Sequence, residues 1–201
     1  FIGLHNAYNI TAVYGAAVLL GMKEEEVAVE VSRLTAVSGR LEYFKGSNDI
    51  IAAVDYAHTP DALENVLKTL KDLNPAGDLI CVFGCGGNRD KTKRPEMGAI
   101  AGKYADKVVV TSDNPRFEDP LAIINDIKEG MDIKARCKSS FIPDRQEAVR
   151  VAILNAKPGS IILVAGKGHE DYQIVNGVKH HLDDKELIKS AFEELKMLCK
   201  A

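Results

Sequence analysis

Short apolar runs recur along most of this chain, and segments with helical spacing separate them. The runs are residues 50–54, 79–83, 108–110, 141–142 and 161–165. Continuous apolar runs are typical of strands buried on both faces, and their alternation with helices gives a parallel sheet with right-handed crossovers. The sequence therefore predicts an α/β fold with a doubly wound, mostly parallel, Rossmann-like sheet.

The two ends of the chain depart from this alternation. Residues 9–34 have helical spacing with a break at Gly21, which predicts a short helical segment before the α/β domain. Toward the C-terminus, Asn176-Gly177 lies between two strand-like runs and predicts an antiparallel hairpin with a type I′ turn. Helix N-caps are predicted at Thr59, Asp119 and Asp144.

The composition is that of a soluble globular protein, with 46% hydrophobic and 27% charged residues. The net charge of −3 argues against nucleic-acid partners, and no apolar run is long enough to predict a membrane span. Four cysteines without paired spacing are typical of a reduced, cytoplasmic protein. Because the chain opens at Phe1 with no evident leading region, we expect a fragment of a longer protein.

A cluster of polar residues follows four of the predicted strands, at residues 55–59, 84–90, 113–116 and 166–170. Ligands of open α/β sheets bind beyond the carboxyl ends of the strands, so these clusters predict one binding edge. The edge carries two guanidinium groups and two carboxylates, from Arg89, Arg116, Asp113 and Glu170. Guanidinium groups match carboxylates and carboxylates match ammonium groups, so the predicted ligand is a zwitterion such as an amino acid.

Familiar nucleotide and metal motifs are incomplete in this sequence. Gly84 and Gly86 fit the dinucleotide fingerprint, but Arg89 stands at its third glycine position. Asp90 stands where a Walker A loop needs glycine before its K-T pair, so the chain is predicted to have no triphosphate loop of its own. No metal site is predicted either, since ligand-like spacing to Cys or acids is missing for His58, His169, His180 and His181.

Six segments of the chain together resemble the Mur ligase family, and they occur in the family's order. They are residues 3–9, 38–42, 54–63, 82–95, 111–116 and 166–170. Family members have a UDP-sugar domain, a central ATPase domain with a P-loop, and a C-terminal α/β domain. The resemblance implies that residues 1–38 are a helical remnant of the central ATPase domain and that residues 39–201 are the C-terminal amino-acid-binding ligase domain.

The resemblance is strongest to the branch of the family that adds meso-diaminopimelate to UDP-MurNAc-L-Ala-D-Glu in peptidoglycan precursor synthesis. It implies that ATP converts a carboxylate of the UDP-MurNAc-dipeptide into an acyl phosphate, which the amine of diaminopimelate then attacks. ATP and Mg²⁺ would be bound mainly by the central domain, so this chain is expected to be inactive alone. The resemblance further implies a cytoplasmic enzyme, expected to be monomeric, with small-molecule substrates and neither nucleic-acid nor membrane partners.

The resemblance also assigns roles to individual positions. The residues implied for meso-diaminopimelate binding are Arg89, Asp113, Asn114, Pro115, Arg116, Gly166 and Glu170. The residues implied for nucleotide binding are His5, Asn6, Asn9, Arg40 and Asp55. His58 is the one candidate catalytic residue, expected near the phosphates, and Asn88 departs from the aspartate that the family pattern leads us to expect.

Two alternatives remain open at this point. One is a ligase domain of the folylpolyglutamate synthase or cyanophycin synthetase type, against which the D-N-P-R segment 113–116 argues. The other is a non-catalytic module that binds an amino acid or a nucleotide. Within the ligase interpretation, diaminopimelate is favoured over lysine, because lysine has no far carboxylate and would leave Arg116 unpaired.

Overall fold

The structure, a computed structural model, describes residues 4–34, 38–74 and 76–199, and within these ranges the side chains from residue 7 onward. The chain divides into two compact units, Phe1–Val37 and Ser38–Ala201. This division lies next to the boundary predicted at residue 38. The assignment of the first unit to a central ATPase domain stays a prediction.

The first unit contains two helices, α1 (Leu4–Leu19) and α2 (Glu24–Ser32). The predicted break at Gly21 is confirmed, since this residue has a φ of +95°, a conformation that glycine adopts without steric cost. Three glutamates occupy the first turn of α2, where negative charge favours the helix dipole. Across the described parts of the chain, no helix combines the length and the apolar character needed to cross a membrane.

The second unit has the predicted alternation of strands and helices. Its elements in chain order are β1 (Glu42–Lys45), β2 (Ile51–Asp55), α3 (Pro60–Leu73), β3 (Leu79–Phe83), α4 (Lys93–Tyr104), β4 (Lys107–Val110), α5 (Pro120–Glu129), α6 (Ile133–Cys137), β5 (Ser139–Phe141), α7 (Arg145–Leu154), β6 (Ile161–Ala165), β7 (Tyr172–Val175), β8 (Val178–His181) and α8 (Asp184–Leu198). The predicted α/β class is confirmed.

Six of the described strands form one sheet in the order β1-β2-β6-β3-β4-β5. All neighbours in it are parallel except β1, which pairs antiparallel with β2. The register places Asp55 opposite Ala165 and Phe83 opposite Val110, so the carboxyl ends of adjacent strands lie level. The chain crosses the sheet in one direction from β1 to β5 and then returns to place β6 between β2 and β3. The helices that follow β2 and β3 pack on one face and α8, which follows β6, packs on the other. The connections therefore diverge at the carboxyl end of β6, which is where open α/β sheets bind ligands.

Alternate residues of the central strands belong to two separate apolar clusters. Ala53 and Leu163 pack with residues of α3, α4 and α5, whereas Ala52 and Ile162 pack with residues of α7 and α8. This is the period of two that a strand buried on both faces must have. Each fully buried Leu, such as Leu67 of α3, contributes roughly 1.5–3 kcal/mol relative to an exposed one.

The three predicted helix caps are confirmed. The side chain of Thr59 accepts a hydrogen bond from the backbone N–H of Ala62, and that of Asp119 accepts one from Leu121. The carboxylate of Asp144 accepts from the backbone N–H of Glu147 at 2.8 Å. The Glu147 carboxylate forms an ion pair with Arg150, so the second half of the predicted capping box is replaced by a surface ion pair.

The predicted antiparallel hairpin is confirmed as β7 and β8. Asn176 and Gly177 have φ angles of +49° and +80°, the pair of positive values that a type I′ turn requires. Two elements, β1 and α6, are absent from the sequence prediction. The predicted strand at 141–142 is in fact Ser139–Phe141, and Ile142 follows it, with its N–H donating to the carbonyl of Val110.

Candidate functional site

The four polar clusters lie at the carboxyl ends of strands that are neighbours in the sheet. Residues 55–59 follow β2, 166–170 follow β6, 84–90 follow β3 and 113–116 follow β4. Because these strands are adjacent and parallel, the predicted single edge is confirmed. We call these four segments together the sheet rim.

The segment after β4 is tied to the hairpin strand β7. Arg116 has a φ of +55°, an unfavourable conformation for a residue with a side chain. Its N–H donates to the carbonyl of Ile174 at 2.9 Å, and its carbonyl accepts from the N–H of Asn176 at 2.6 Å. The Asn114 side chain accepts from the N–H of Ile174 at 2.9 Å. The hairpin therefore fixes the direction in which the Arg116 side chain leaves the backbone.

Gly86 lies between the two arginines of the predicted site. A Cβ added to this glycine would be 2.8 Å from Nη1 of Arg116 and 3.7 Å from Cγ of Arg89. The same Nη1 of Arg116 donates to the carbonyl of Gly87 at 2.8 Å. The structure thus brings Arg89, which is exposed, and Arg116, which is partly buried, to the same part of the sheet rim.

The predicted acidic residues lie on the adjoining part of the rim. A Cβ on Gly166, whose φ is +114°, would be 2.7 Å from Oδ2 of Asp113. The side-chain nitrogen Nδ2 of Asn114 donates to Oε2 of Glu170 at 2.9 Å. The segments 113–116 and 166–170 are therefore in direct contact. Both predicted carboxylates lie on the same side of the unit as the two arginines.

Lys167 belongs to the predicted polar cluster 166–170, but it was not among the predicted site residues. Its side chain is fully buried, and its Nζ lies 3.3 Å from Oδ1 of Asn114 and 3.4 Å from Oε2 of Glu170. The sequence signal was its position between two glycines directly after a buried strand. Both glycines have positive φ, and this backbone path carries the lysine inward.

The side chains of Arg94, Glu118 and Asn88 hold the loops after β3 and β4 together. Arg94, fully buried, donates to both carboxylate oxygens of Glu118 at 3.0 Å and to the carbonyl of Gly86 at 3.3 Å. Glu118 also accepts from the N–H of Asn88. Asn88 has a φ of +52°, and its side-chain oxygen accepts a hydrogen bond from the N–H of Phe117 at 3.1 Å. The unexpected asparagine thus serves as an acceptor between the loops in a backbone conformation that asparagine tolerates.

These contacts predict a pH response of the loops. The hydrogen bond from Arg94, followed by that from the Asn88 backbone, lowers the pKa of Glu118 from 4.5 to about 2. A carboxyl with a lowered pKa adds stability that is complete above its unfolded pKa and is lost as the pH falls toward its folded pKa. Carboxyl NMR of Glu118 should therefore show a titration midpoint near pH 2, and Glu118→Gln should lose less stability than the parent chain between pH 4.5 and 2. A midpoint above pH 4 would contradict this assignment.

The predicted nucleotide-side residues of the second unit lie at the β2 end of the rim. The guanidinium carbon of Arg40 lies 5.0 Å from the ring centre of Tyr56, and that ring contacts His58 edge-on with centroids 4.6 Å apart. The carboxylate of Asp55 is 5% exposed and accepts from the backbone N–H groups of Leu41 and Ala57. Asp55 therefore holds the loop that carries Arg40, and a role toward a nucleotide stays a prediction.

The remaining nucleotide-side predictions fall in the first unit. Asn9 is an exposed residue of α1. His5 and Asn6 also belong to α1, but their side chains lie outside the described part of the structure. Among the residues that the structure describes, no group of three or more His, Cys, Asp or Glu side chains is arranged to hold a metal ion. His181, one of the four histidines considered as metal ligands, has its Nε2 2.7 Å from Oε2 of Glu186.

Comparison with known proteins gives consistent matches over the chain. The family model described as "Mur ligase, glutamate ligase domain" matches residues 39–168. The chain is 54% identical over 193 residues to a UDP-N-acetylmuramoyl-L-alanyl-D-glutamate–2,6-diaminopimelate ligase of Bacteroides thetaiotaomicron, a match that covers 96% of the chain and 40% of the relative. The Bacteroides fragilis protein of the same name is also 54% identical, with the same coverage.

A solved structure gives the same correspondence in three dimensions. The chain superimposes on a solved structure of a UDP-N-acetylmuramoyl-L-alanyl-D-glutamate–2,6-diaminopimelate ligase with a TM-score of 0.76 at 41% identity. This match covers 98% of the present chain and 40% of the solved one. The chain therefore spans about 40% of the length of the curated relatives that it matches.

Proposed function

We propose that this chain, which belongs to the Mur ligase family by the match of its residues 39–168, is the amino-acid-binding part of an ATP-dependent peptide ligase. Residues 39–201 are the C-terminal ligase domain in this proposal, and residues 1–38 are the last helices of a central ATPase domain. The chain matches 40% of the length of the relatives named above. This supports the proposal that the ATPase core lies in another part of a longer protein.

The proposed reaction joins meso-diaminopimelate to UDP-MurNAc-L-Ala-D-Glu. The dipeptide carboxylate attacks the γ-phosphorus of ATP, and ADP leaves as the acyl phosphate forms. The amine of diaminopimelate then attacks the acyl carbon, phosphate leaves, and the amine gives up a proton. The contribution of this chain is to hold the attacking amino acid in position, which lowers the entropic part of the barrier.

Magnesium enters this proposal only through the rest of the protein. The family implies Mg²⁺, but the described residues of this chain offer no carboxylate cluster that fits a divalent ion. We therefore assign no step of the reaction in this chain to the metal. ATP contacts from His5, Asn6, Asn9, Arg40 and Asp55, and a role for His58 near the phosphates, remain part of the proposal.

The observation that carries the proposal is the convergence of opposite charges on one rim. Arg116 and Arg89 flank Gly86, and the carboxylates of Asp113 and Glu170 lie on the adjoining segments. An amino acid whose side chain ends in both an ammonium group and a carboxylate complements this arrangement at both charges. We propose that Arg116 and Arg89 bind the carboxylate, that Asp113 and Glu170 bind the ammonium group, and that Asn114, Pro115 and Gly166 shape the site.

A competition assay tests this function. The full-length protein is incubated with ATP, Mg²⁺, UDP-MurNAc-L-Ala-D-Glu and equal concentrations of meso-diaminopimelate, L-lysine and L-glutamate, and the products are separated by mass. We expect the diaminopimelate product to exceed the lysine product by about a hundredfold or more, because lysine brings no carboxylate to the guanidinium group of Arg116. Absence of product with UDP-MurNAc-L-Ala-D-Glu, together with glutamate addition when a folate replaces it, would favour a folylpolyglutamate-type ligase instead. ATP turnover by the 201-residue chain alone would contradict its assignment as the part without the ATPase core.

The cellular setting forms the last part of the proposal. The substrates are a nucleotide sugar and ATP, so we place the enzyme in the cytoplasm. A net charge of −3 does not favour binding to nucleic acid or anionic lipid. We propose a monomer that binds small molecules, and sedimentation of the full-length protein at one subunit mass is the expected result.

A further inference from the structure

Lys167 places a buried positive charge inside the proposed amino-acid site. Its side chain has no exposed surface, and it lies between Gly166 and Gly168 at the end of β6. Burying an ammonium group is costly unless it is paired. The nearest acceptors are Oδ1 of Asn114 at 3.3 Å and Oε2 of Glu170 at 3.4 Å, and Nζ also lies 5.4 Å from the ring centre of Tyr172.

The acceptors of Lys167 overlap with those proposed for the substrate. Glu170 is one of the two carboxylates that would receive the far ammonium group of the amino acid, and it is already paired with Lys167. Asn114 contacts both residues, since its Nδ2 donates to Oε2 of Glu170. The charge of this carboxylate is therefore compensated before any ligand arrives.

The charge balance among the rim residues proposed for the amino-acid site, rather than of the whole rim, then depends on what the ligand carries. Lys167, Arg116 and Arg89 supply three positive charges, against the carboxylates of Asp113 and Glu170. A side chain that ends in a lone ammonium group adds a further positive charge close to Lys167. A side chain that ends in an ammonium group and a carboxylate adds no net charge, and its carboxylate meets the guanidinium groups.

We propose that Lys167 is a specificity-determining residue, which disfavours amino acids with a single terminal ammonium group relative to those with a zwitterionic end. This inference rests on the proposed function. Lys167 acts through Glu170 and Asn114, so it is a positioning residue whose charge reduces the attraction of the site for a bare cation. A purely structural role differs in its consequence, because loss of packing would weaken both kinds of amino acid to the same extent.

The test uses Lys167→Met in the full-length ligase, in the same competition between meso-diaminopimelate and L-lysine. Methionine keeps an unbranched apolar stem and removes the charge. We expect the ratio of diaminopimelate product to lysine product to fall about tenfold, with the rate of lysine addition rising. The KM for ATP should stay unchanged.

The matched control is Lys179→Met, on the exposed strand β8. Its Nζ lies 4.1 Å from the ring centre of the same Tyr172, so it shares the aromatic contact and differs in burial. We expect the parent product ratio in this variant. Lys167→Gln is a second variant, which keeps a hydrogen-bond donor without the charge, and its product ratio should shift in the same direction as that of Lys167→Met.

The possible outcomes separate the inference from the function on which it rests. An unchanged product ratio in Lys167→Met, or an equal fall in both products, overturns the role of Lys167 and leaves the ligase assignment intact. Failure of both Lys167 variants to fold, while Lys179→Met folds, shows that the lysine is structural and also overturns it. Absence of a diaminopimelate product from the parent enzyme would instead refute the proposed function.

Discussion

Arg116→Ala in the full-length ligase is expected to lower kcat/KM for meso-diaminopimelate by about a hundredfold or more, and to affect L-lysine much less. The physical reason is that only diaminopimelate brings a carboxylate to this guanidinium group. Loss of Arg116 removes the partly buried one of the two guanidinium groups proposed for that carboxylate and leaves only Arg89, which is exposed. Steady-state kinetics with each amino acid, at saturating ATP and UDP-MurNAc-dipeptide, measure the effect.

Two further variants define what the Arg116 result means. Arg116→Lys keeps the charge but loses the planar pair of donors, so an intermediate loss is expected. Arg150→Ala removes an arginine of α7 that pairs with Glu194 of α8 and with Glu147 of its own helix, and it should leave the kinetics with both amino acids unchanged. Since Arg116 also donates to the carbonyl of Gly87, the melting temperature of each variant is measured alongside. Equal losses for diaminopimelate and lysine would contradict the assignment of Arg116.

Asp184→Asn is expected to lower the free energy of unfolding of the chain by about 3–5 kcal/mol, because it leaves a buried guanidinium group without its counter-charge. Arg145 and Asp184 both have fully buried side chains and form a bidentate pair, with two contacts of 2.7 Å. The same guanidinium donates to the carbonyls of Ser112 and Ala165, at the ends of the strands that carry the site. Urea unfolding followed by circular dichroism measures the loss.

An exposed pair serves as the control for this loss. Glu194→Gln removes the partner of Arg150, and ion pairs on the surface contribute only about 0–1 kcal/mol. The double variant Arg145→Met with Asp184→Leu should recover part of the stability lost in Asp184→Asn, because no charge is then buried. Recovery should be incomplete, since the carbonyls of Ser112 and Ala165 lose their donor. A loss below 1 kcal/mol for Asp184→Asn would show that the pair is not stabilising.

Local signals in the sequence predicted the elements of the fold well. The strand 161–165 is a continuous apolar run, and the caps at Thr59 and Asp119 have the side chains that helix starts require. Strand β1 was missed because its residues Glu42–Lys45 alternate in burial on a sheet edge and contain charges at both ends. Helix α6 was missed because five residues are too few to show helical periodicity.

The candidate site was predictable to the level of segments but not of partners. The prediction that four polar clusters share one rim required only that their strands be parallel and adjacent. The hydrogen bonds between Arg116 and the hairpin join it to Ile174 and Asn176, which are 58 and 60 residues further along the chain, and no local pattern predicts them. The structural roles of Lys167 and Arg94 were not predicted, because charged residues are expected at the surface. Only the tertiary structure shows that these two side chains are fully buried.

By itself, the sequence determined the class of fold, the order of its elements and the residue types at the strand ends, because apolar periodicity and capping act over a few residues. Only the tertiary structure decided that β6 inserts between β2 and β3, and that the segments 84–90, 113–116 and 166–170 meet there. It also decided which charges are buried and paired. Those properties depend on contacts between distant parts of the chain, where desolvation and packing outweigh the preferences of any single residue.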